Sequence, residues 1–130
     1  MKHILVVEDE PRIAQIVRDY LERAGFKVDV ATTGEEALAA TRSRRPDLIV
    51  LDLGLPKVDG REVLKRIWGD RRLRHIPVIV LTGSDEDEDM VRSYKSGAVA
   101  YLRKPVQVDQ LVRAVGDLNG YRLLIARVAD

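Results

Sequence analysis

Ile4-Leu5-Val6-Val7 is a continuous apolar run that stops abruptly at the charged stretch Glu8-Asp9-Glu10-Pro11. Comparable runs recur at Val28-Asp29-Val30-Ala31, Leu48-Ile49-Val50-Leu51, Val78-Ile79-Val80-Leu81 and Val99-Ala100-Tyr101-Leu102. Apolar, β-branched runs of this kind read as strands covered on both faces, as in a parallel sheet. Between them the apolar period lengthens to three and four residues, the spacing of helices. Ile13, Ile16, Val17, Tyr20, Leu21 and Ala24 mark the first, with Gly25 as its stop. Thr33 and Glu36 form a capping box for a second, through Ala37, Leu38 and Ala40. Val63, Leu64 and Ile67 mark a third after Gly60; Met90, Val91 and Tyr94 mark a fourth that Gly97 ends. A long fifth stripe runs through Leu111, Ala114, Val115, Leu118, Tyr121, Ile125 and Val128. Five strands alternating with five helices through short loops predict an α/β fold, a parallel sheet with helices on both faces. No linker, repeat or low-complexity tract interrupts the pattern. The expectation is a single domain over residues 1–130, with 119–130 extending the last helix.

Composition narrows the functions. Of 130 residues, 22 are Lys or Arg and 21 are Asp or Glu, so the formal net charge is +1. That balance argues against direct binding of nucleic acid or acidic membranes through bulk charge. Without cysteine there is no disulfide framework, no thiolate zinc site and no cysteine nucleophile. No run approaches the roughly 18 apolar residues of a membrane span, and the N-terminus lacks a signal-type apolar segment. A cytoplasmic, non-membrane protein is expected.

In a doubly wound sheet, sites form beyond the carboxyl ends of the strands. Glu8 and Asp9 follow the first strand, Asp52 the third, Thr82 the fourth, and Lys104 with Pro105 the fifth. Taken singly these residues have ordinary explanations: a solvated strand end, a cap, a surface lysine. Together, at successive strand ends of one alternating pattern, they point to a site. Clustered carboxylates repel unless a cation joins them, and oxygen-only ligands suit a hard divalent ion such as Mg²⁺, which keeps several waters. Thr82 and Lys104 beside such an ion suit the oxygens of a phosphoryl group. A carboxylate can itself be the nucleophile, giving an aspartyl phosphate. Asp52, leaving the central strand, is the candidate. Gly83 leaves the approach open, and Gly54 lets a backbone carbonyl turn toward the metal.

The stretches Val6-Val7-Glu8-Asp9-Glu10, Leu51-Asp52-Leu53-Gly54-Leu55-Pro56 with Asp59-Gly60, Leu81-Thr82-Gly83, and Gly97-Ala98 through Tyr101 to Lys104-Pro105 resemble the receiver domain of two-component response regulators. The resemblance runs over residues 2–118. It implies a flavodoxin-like, five-stranded parallel sheet of order 2-1-3-4-5 with five helices. It implies that Asp52 accepts a phosphoryl group from the phosphohistidine of a sensor histidine kinase. Asp9 would ligate Mg²⁺ directly and Glu8 through water, with Asp52 and the Gly54 carbonyl completing the protein ligands. Lys104 would pair with the phosphate, Thr82 would hydrogen-bond it, and Tyr101 would be the aromatic switch that turns inward when Thr82 moves. A cis Lys104–Pro105 bond is implied as well. Gly83 stands where alanine is usual, and Gly54 where a larger residue is common, which opens the phosphoryl site to water.

Asn119-Gly120-Tyr121 through Val128, with Arg92-Ser93-Tyr94 and Lys104-Pro105-Val106, is similar to the small single-domain regulators that accompany phytochrome-type sensor kinases. The apolar positions Tyr121, Leu124, Ile125 and Val128 lead to the expectation of a homodimer through the fourth helix, fifth strand, fifth helix and tail. Two other readings compete with a signalling module that has at most weak self-dephosphorylation. An aspartate-nucleophile phosphatase typically carries a second Asp where Gly54 stands. A flavin or nucleotide binder offers amides and hydroxyls where Glu8-Asp9-Glu10 presents anions. A receiver that binds partners without being phosphorylated is a third alternative. Elsewhere the readings are plain: Ser84 to Asp89 caps the fourth helix, Arg71, Arg72 and Arg74 form a solvated loop, His3 and His75 are incidental, and Trp68 is partial core.

Overall fold

The runs of apolar residues form strands β1 (His3–Val7), β2 (Lys27–Ala31), β3 (Leu48–Asp52), β4 (Val78–Thr82) and β5 (Val99–Arg103), and a further short strand, β6, is Ile125–Arg127. Helices α1 (Pro11–Arg23), α2 (Gly34–Arg44) and α3 (Gly60–Gly69) connect the first four strands. The computed structural model describes residues 3–53 and 59–82, the backbone of strands 99–103 and 125–127, and residues 109, 113 and 115. The expected fourth helix with its acidic opening, and Gly54, Gly83, Lys104 and the Lys104–Pro105 bond, lie outside the described residues. Residues 109, 113 and 115 are helical, where the fifth helix was expected.

All pairings are parallel, and the strand order is β2-β1-β3-β4-β5-β6. Period-two alternation sends successive side chains to opposite faces. Leu5, Val7, Ile49, Leu51, Val78 and Val80 pack in one cluster with Val63, Leu64 and Ile67 of α3 and Ala37 of α2. Ile4, Val6, Leu48, Val50 and Ile79 pack in the other with Leu21 of α1 and Val115. The sheet is therefore covered on both sides, which is why its central strands carry four consecutive apolar residues each, Ile4–Val7, Leu48–Leu51 and Val78–Leu81. Trp68 belongs to the α3-side core.

Local signals set the helix ends. Pro11 opens α1 at a position that needs no amide hydrogen. Gly25, at φ 96°, closes it: the Phe26 amide donates to the Leu21 carbonyl at 3.1 Å and the Gly25 amide to Glu22 at 3.0 Å, a Schellman pattern. Thr33 caps α2 by accepting from the Glu36 amide at 3.1 Å, while the Glu36 carboxylate accepts from the Thr32 amide, one residue before the cap.

Three expectations need correction. The tail was expected to continue the last helix over 119–130, but Ile125–Arg127 is a strand paired with β5, Tyr101 opposite Ile125 and Arg103 opposite Arg127. The physical reason is that β5 would otherwise present a row of unpaired backbone groups, whereas Gly116 and Gly120 weaken a continuing helix. The sheet thus has six strands rather than five, and Tyr101 stands on an interior strand. Ile13, Ile16 and Tyr20 of α1 were expected to face the core, yet they are 48, 46 and 45% exposed. Ala14 and Leu21 are the buried residues of α1, with Val17 partly buried against that core, so the inward stripe is rotated from the larger apolar side chains. His3, expected to be incidental, ties the sheet's first two strands together: its Nε2 pairs with the Asp29 carboxylate.

Asp29 also takes an ion pair from Arg44 at 3.0 Å, and the His3 amide donates to Asp47 at 2.8 Å. Partial burial pushes the Asp29 carboxyl upward, but the hydrogen bonds and charges of His3 and Arg44 outweigh it and hold the group below its ordinary range. A depressed carboxylate stabilises the fold above its unfolded-state value and loses that contribution as pH falls through its folded-state value. Asp29→Asn should therefore cost about 1–2 kcal/mol near neutral pH. The cost should shrink below about pH 4. Urea unfolding of both proteins across pH checks this; a pH-independent difference would contradict it.

Candidate functional site

The register brings the strand ends into one row. Val7 is opposite Leu51 in β1–β3, Asp52 is opposite Leu81 in β3–β4, and Thr82 is opposite Arg103 in β4–β5. Pairing continues past the strand ends: the Glu8 amide donates to the Ala31 carbonyl and the Leu53 amide to Leu81, both at 2.9 Å. Glu8, Asp52 and Thr82 thus occupy the same carboxyl edge, with residue 104 next after the last residue of β5.

Two of these acids are removed from solvent. Glu8 is 7% exposed and Asp52 5%, at the lip of a sheet whose preceding residues are fully apolar. The Glu8 carboxylate accepts from the Glu10 amide at 3.1 Å, which folds the loop back before α1 begins. Burial raises the Glu8 carboxyl above the ordinary range, and the negative charges of Asp52 and Asp9 raise it further, against lowering by amide hydrogen bonds from Glu10 and Asp9. The register already sets Glu8 and Asp52 side by side, one residue past Val7 and Leu51, and Asp9 follows Glu8 directly. A carboxyl pushed upward by burial and neighbouring charge is a kind of group that clusters at functional sites.

Among the described residues no three acidic or histidine side chains close into a metal cage by themselves. The described donors are carboxylate oxygens only, a set that fits a hard divalent cation retaining water rather than zinc or copper. Thr82 closes β4 and Tyr101 stands on β5, each placed here by backbone alone. Gly54 and Lys104 are outside the described residues. Gly60, which the sequence offered as a helix boundary and as part of the Asp59-Gly60 stretch with no role of its own, lies against the end of β3 and Asp52.

An open cleft of about 640 Å³ lies elsewhere, at the end of α3, lined by Arg42, Arg66, Gly69, Asp70, Arg71 and Arg72. Arg42 and Arg66 are in the last turns of α2 and α3, where the helix dipole favours cations. That accounts for them without a ligand.

Carboxylates gathered on the carboxyl edge of a sheet of this order meet a decisive comparison: a family model for the response regulator receiver domain matches residues 4–116. The chain belongs to that family. This receiver domain is similar to the DNA-binding dual master transcriptional regulator RpaA of Synechocystis sp., 41% identical over 115 residues, which are 88% of this chain and 48% of that protein. It is also similar to the polar-differentiation response regulator DivK of Brucella anthropi, 38% identical over 119 residues, 92% of this chain and 97% of DivK. The chain spans about half the length of the transcriptional regulators it matches. Among solved structures it is similar to the bacteriophytochrome response regulator AtBRR, with TM-score 0.72 and 41% identity over 95% of this chain and 96% of that one. The receiver fold is therefore that of two-component signalling proteins, and no helix of the described residues is long and apolar enough to cross a membrane.

Proposed function

We propose that this receiver domain is a phosphorylation-dependent response regulator in which Asp52 accepts a phosphoryl group from a sensor histidine kinase. The observation that carries the reading is the buried pair Glu8 and Asp52, each the residue after a paired position of β1 and β3 (Val7 opposite Leu51), with the charges of Asp52 and Asp9 helping to raise the Glu8 carboxyl. In the transfer, an Asp52 carboxylate oxygen bonds to phosphorus as the phosphorus–nitrogen bond to the kinase's histidine breaks. The nitrogen keeps the bonding electron pair.

Asp9, Asp52 and the Gly54 carbonyl would hold Mg²⁺, with Glu8 acting through water. When bound, that ion offsets the carboxylate charge and the charge on the phosphoryl oxygens. Lys104 would pair with the phosphoryl group and Thr82 would donate to it, drawing the Thr82 hydroxyl toward Asp52. Tyr101 would then reorient and carry the change to the face of the fourth helix, β5 and the fifth helix, of which β6 covers the β5 edge. A homodimer through that surface and the tail fits this reading, with phosphorylation tuning its affinity by about 5–150-fold. The module works in the cytoplasm by protein contact, without direct nucleic-acid binding and with at most weak self-dephosphorylation. The likeness to a bacteriophytochrome response regulator supports a phytochrome-type kinase as the partner.

The exposed stripe Ile13, Ile16 and Tyr20 lies on the helix that leaves the Glu8–Glu10 loop, within reach of a protein delivering phosphate to Asp52. Ile16→Lys should slow transfer from the kinase at least about 10-fold, the effect of losing roughly 1.4 kcal/mol of contact. Labelling by a small acyl phosphate should not change. Equal slowing with both donors would contradict a docking role.

Incubation with an acyl-phosphate donor and Mg²⁺, followed by intact-mass measurement, tests the proposal. One added phosphoryl group is expected, and none when the divalent ion is chelated. A chain that gains no mass at any divalent concentration would overturn the reading.

A further inference from the structure

Asp59 caps α3 by accepting from the Glu62 amide at 3.2 Å, and Gly60 is the first helical residue after it. Glycine is the weakest helix former short of proline, so its place here needs a cause. Conformation does not supply one: Gly25 is the described glycine with positive φ, and Gly60 is not. Space does. A Cβ on Gly60 would stand 2.9 Å from the Asp52 carbonyl oxygen, 3.0 Å from Leu53 Cα and 3.0 Å from Leu53 Cδ2. Two of those three atoms are backbone, at the very end of the strand that carries Asp52, and cannot rotate aside. Gly69, at the other end of the same helix, has nothing within 4 Å of the equivalent position.

We infer that Gly60 is a positioning residue for Asp52: its missing side chain lets the first turn of α3 seat directly on the Asp52 carbonyl. The contact sets how far the end of β3 projects, and so where the Asp52 carboxylate stands relative to Glu8 and Asp9. Any side chain at position 60 must lift α3 from β3 or push the Asp52 backbone by several tenths of an ångström. Transfer chemistry is sensitive to such displacements, about 100-fold for 1 Å in demanding cases. The inference rests on the reading of Asp52 as the phosphoacceptor.

Gly60→Ala and Gly69→Ala make a matched pair, since both add one methyl group to the same helix. With an acyl-phosphate donor and saturating Mg²⁺, Gly60→Ala should label at least about 10-fold more slowly, normalised to its folded fraction by circular dichroism. Gly69→Ala should label at the wild-type rate. Normalisation separates positioning from lost stability, because a merely destabilised chain keeps the wild-type rate in its folded molecules. Equal normalised rates for the two variants would overturn the inference. Failure of the wild-type protein to label would instead overturn the reading of Asp52. A second measurement needs no variant: on phosphorylation of the wild-type chain, the Gly60 amide resonance should shift while that of Gly69 stays. A stationary Gly60 resonance on a phosphorylated chain would likewise overturn it.

Discussion

Asp52→Asn should reduce phosphorylation by an acyl-phosphate donor at least about 100-fold, as expected when the nucleophile itself is removed. The same variant should make the metal-free protein more stable by about 1 kcal/mol. Asp52 is buried beside Glu8, whose carboxyl its charge helps push upward. Like charges sharing a partly desolvated strand edge repel more than in water, and relaxation and partial protonation reduce the figure. Asn keeps the shape and the hydrogen-bonding oxygen and removes the charge. Mg²⁺ should reverse the ranking, because a ligand at ten times its dissociation constant stabilises the native state by about 1.4 kcal/mol. The Asn variant loses most of that gain. Urea unfolding of both proteins, with chelator and with Mg²⁺, gives the four values. A variant less stable than wild type in chelator would contradict the repulsion argument.

Leu64→Ala should cost about 2–5 kcal/mol, the range for truncating a buried leucine whose surroundings cannot collapse into the space. Leu64 is fully buried, in the cluster formed by Leu51, Leu53, Val63, Ile67 and Val80. Its neighbours sit on β3 and its end, on β4 and on its own helix, all held by backbone hydrogen bonds, so the gap remains. Against a typical total of 5–15 kcal/mol this is a large fraction, and the melting temperature should fall by about 10 °C or more. The denaturant slope should stay unchanged, since the loss is native packing rather than a looser unfolded state. A loss below 1 kcal/mol would mean that α3 packs against β3 less tightly than its burial indicates.

The central sheet was legible because both its faces are covered, so Ile4–Val7, Leu48–Leu51 and Val78–Leu81 are unbroken apolar runs in β1, β3 and β4. The carboxyl edge was legible for a related reason. Glu8, Asp9, Asp52 and Thr82 are the first polar residues after those runs, and the fold must collect strand ends. The third strand's pairing with the first puts Glu8 and Asp52 together whatever lies between them.

β6 was not legible. Ile125-Ala126-Arg127 is too short to carry a period of two, and Ile125 also continues the helical spacing from Leu118 and Tyr121. What decides its state is the open edge of β5, a tertiary fact. The outward turn of Ile13, Ile16 and Tyr20 escaped for a similar reason. Ala14, Val17 and Leu21 offer a second stripe one residue further round, and sequence spacing cannot say which of two adjacent stripes the sheet takes. The His3–Asp29 contact joins residues 26 apart in sequence, with nothing local to announce it. Gly60 stood in the sequence as a helix boundary and in the Asp59-Gly60 stretch without a role, because a requirement for empty space leaves no trace except the glycine.

The central claim is that Asp52 carries the phosphoryl group, and trapping the acyl phosphate tests it most directly. Borohydride reduces an aspartyl phosphate to homoserine with release of phosphate, leaving a permanent mark at the modified position. After labelling with an acyl-phosphate donor and Mg²⁺, peptide mass analysis should find homoserine at position 52 alone. Homoserine at position 9 or another aspartate with position 52 unchanged, or a phosphorylated chain that borohydride leaves unmarked, would contradict the assignment.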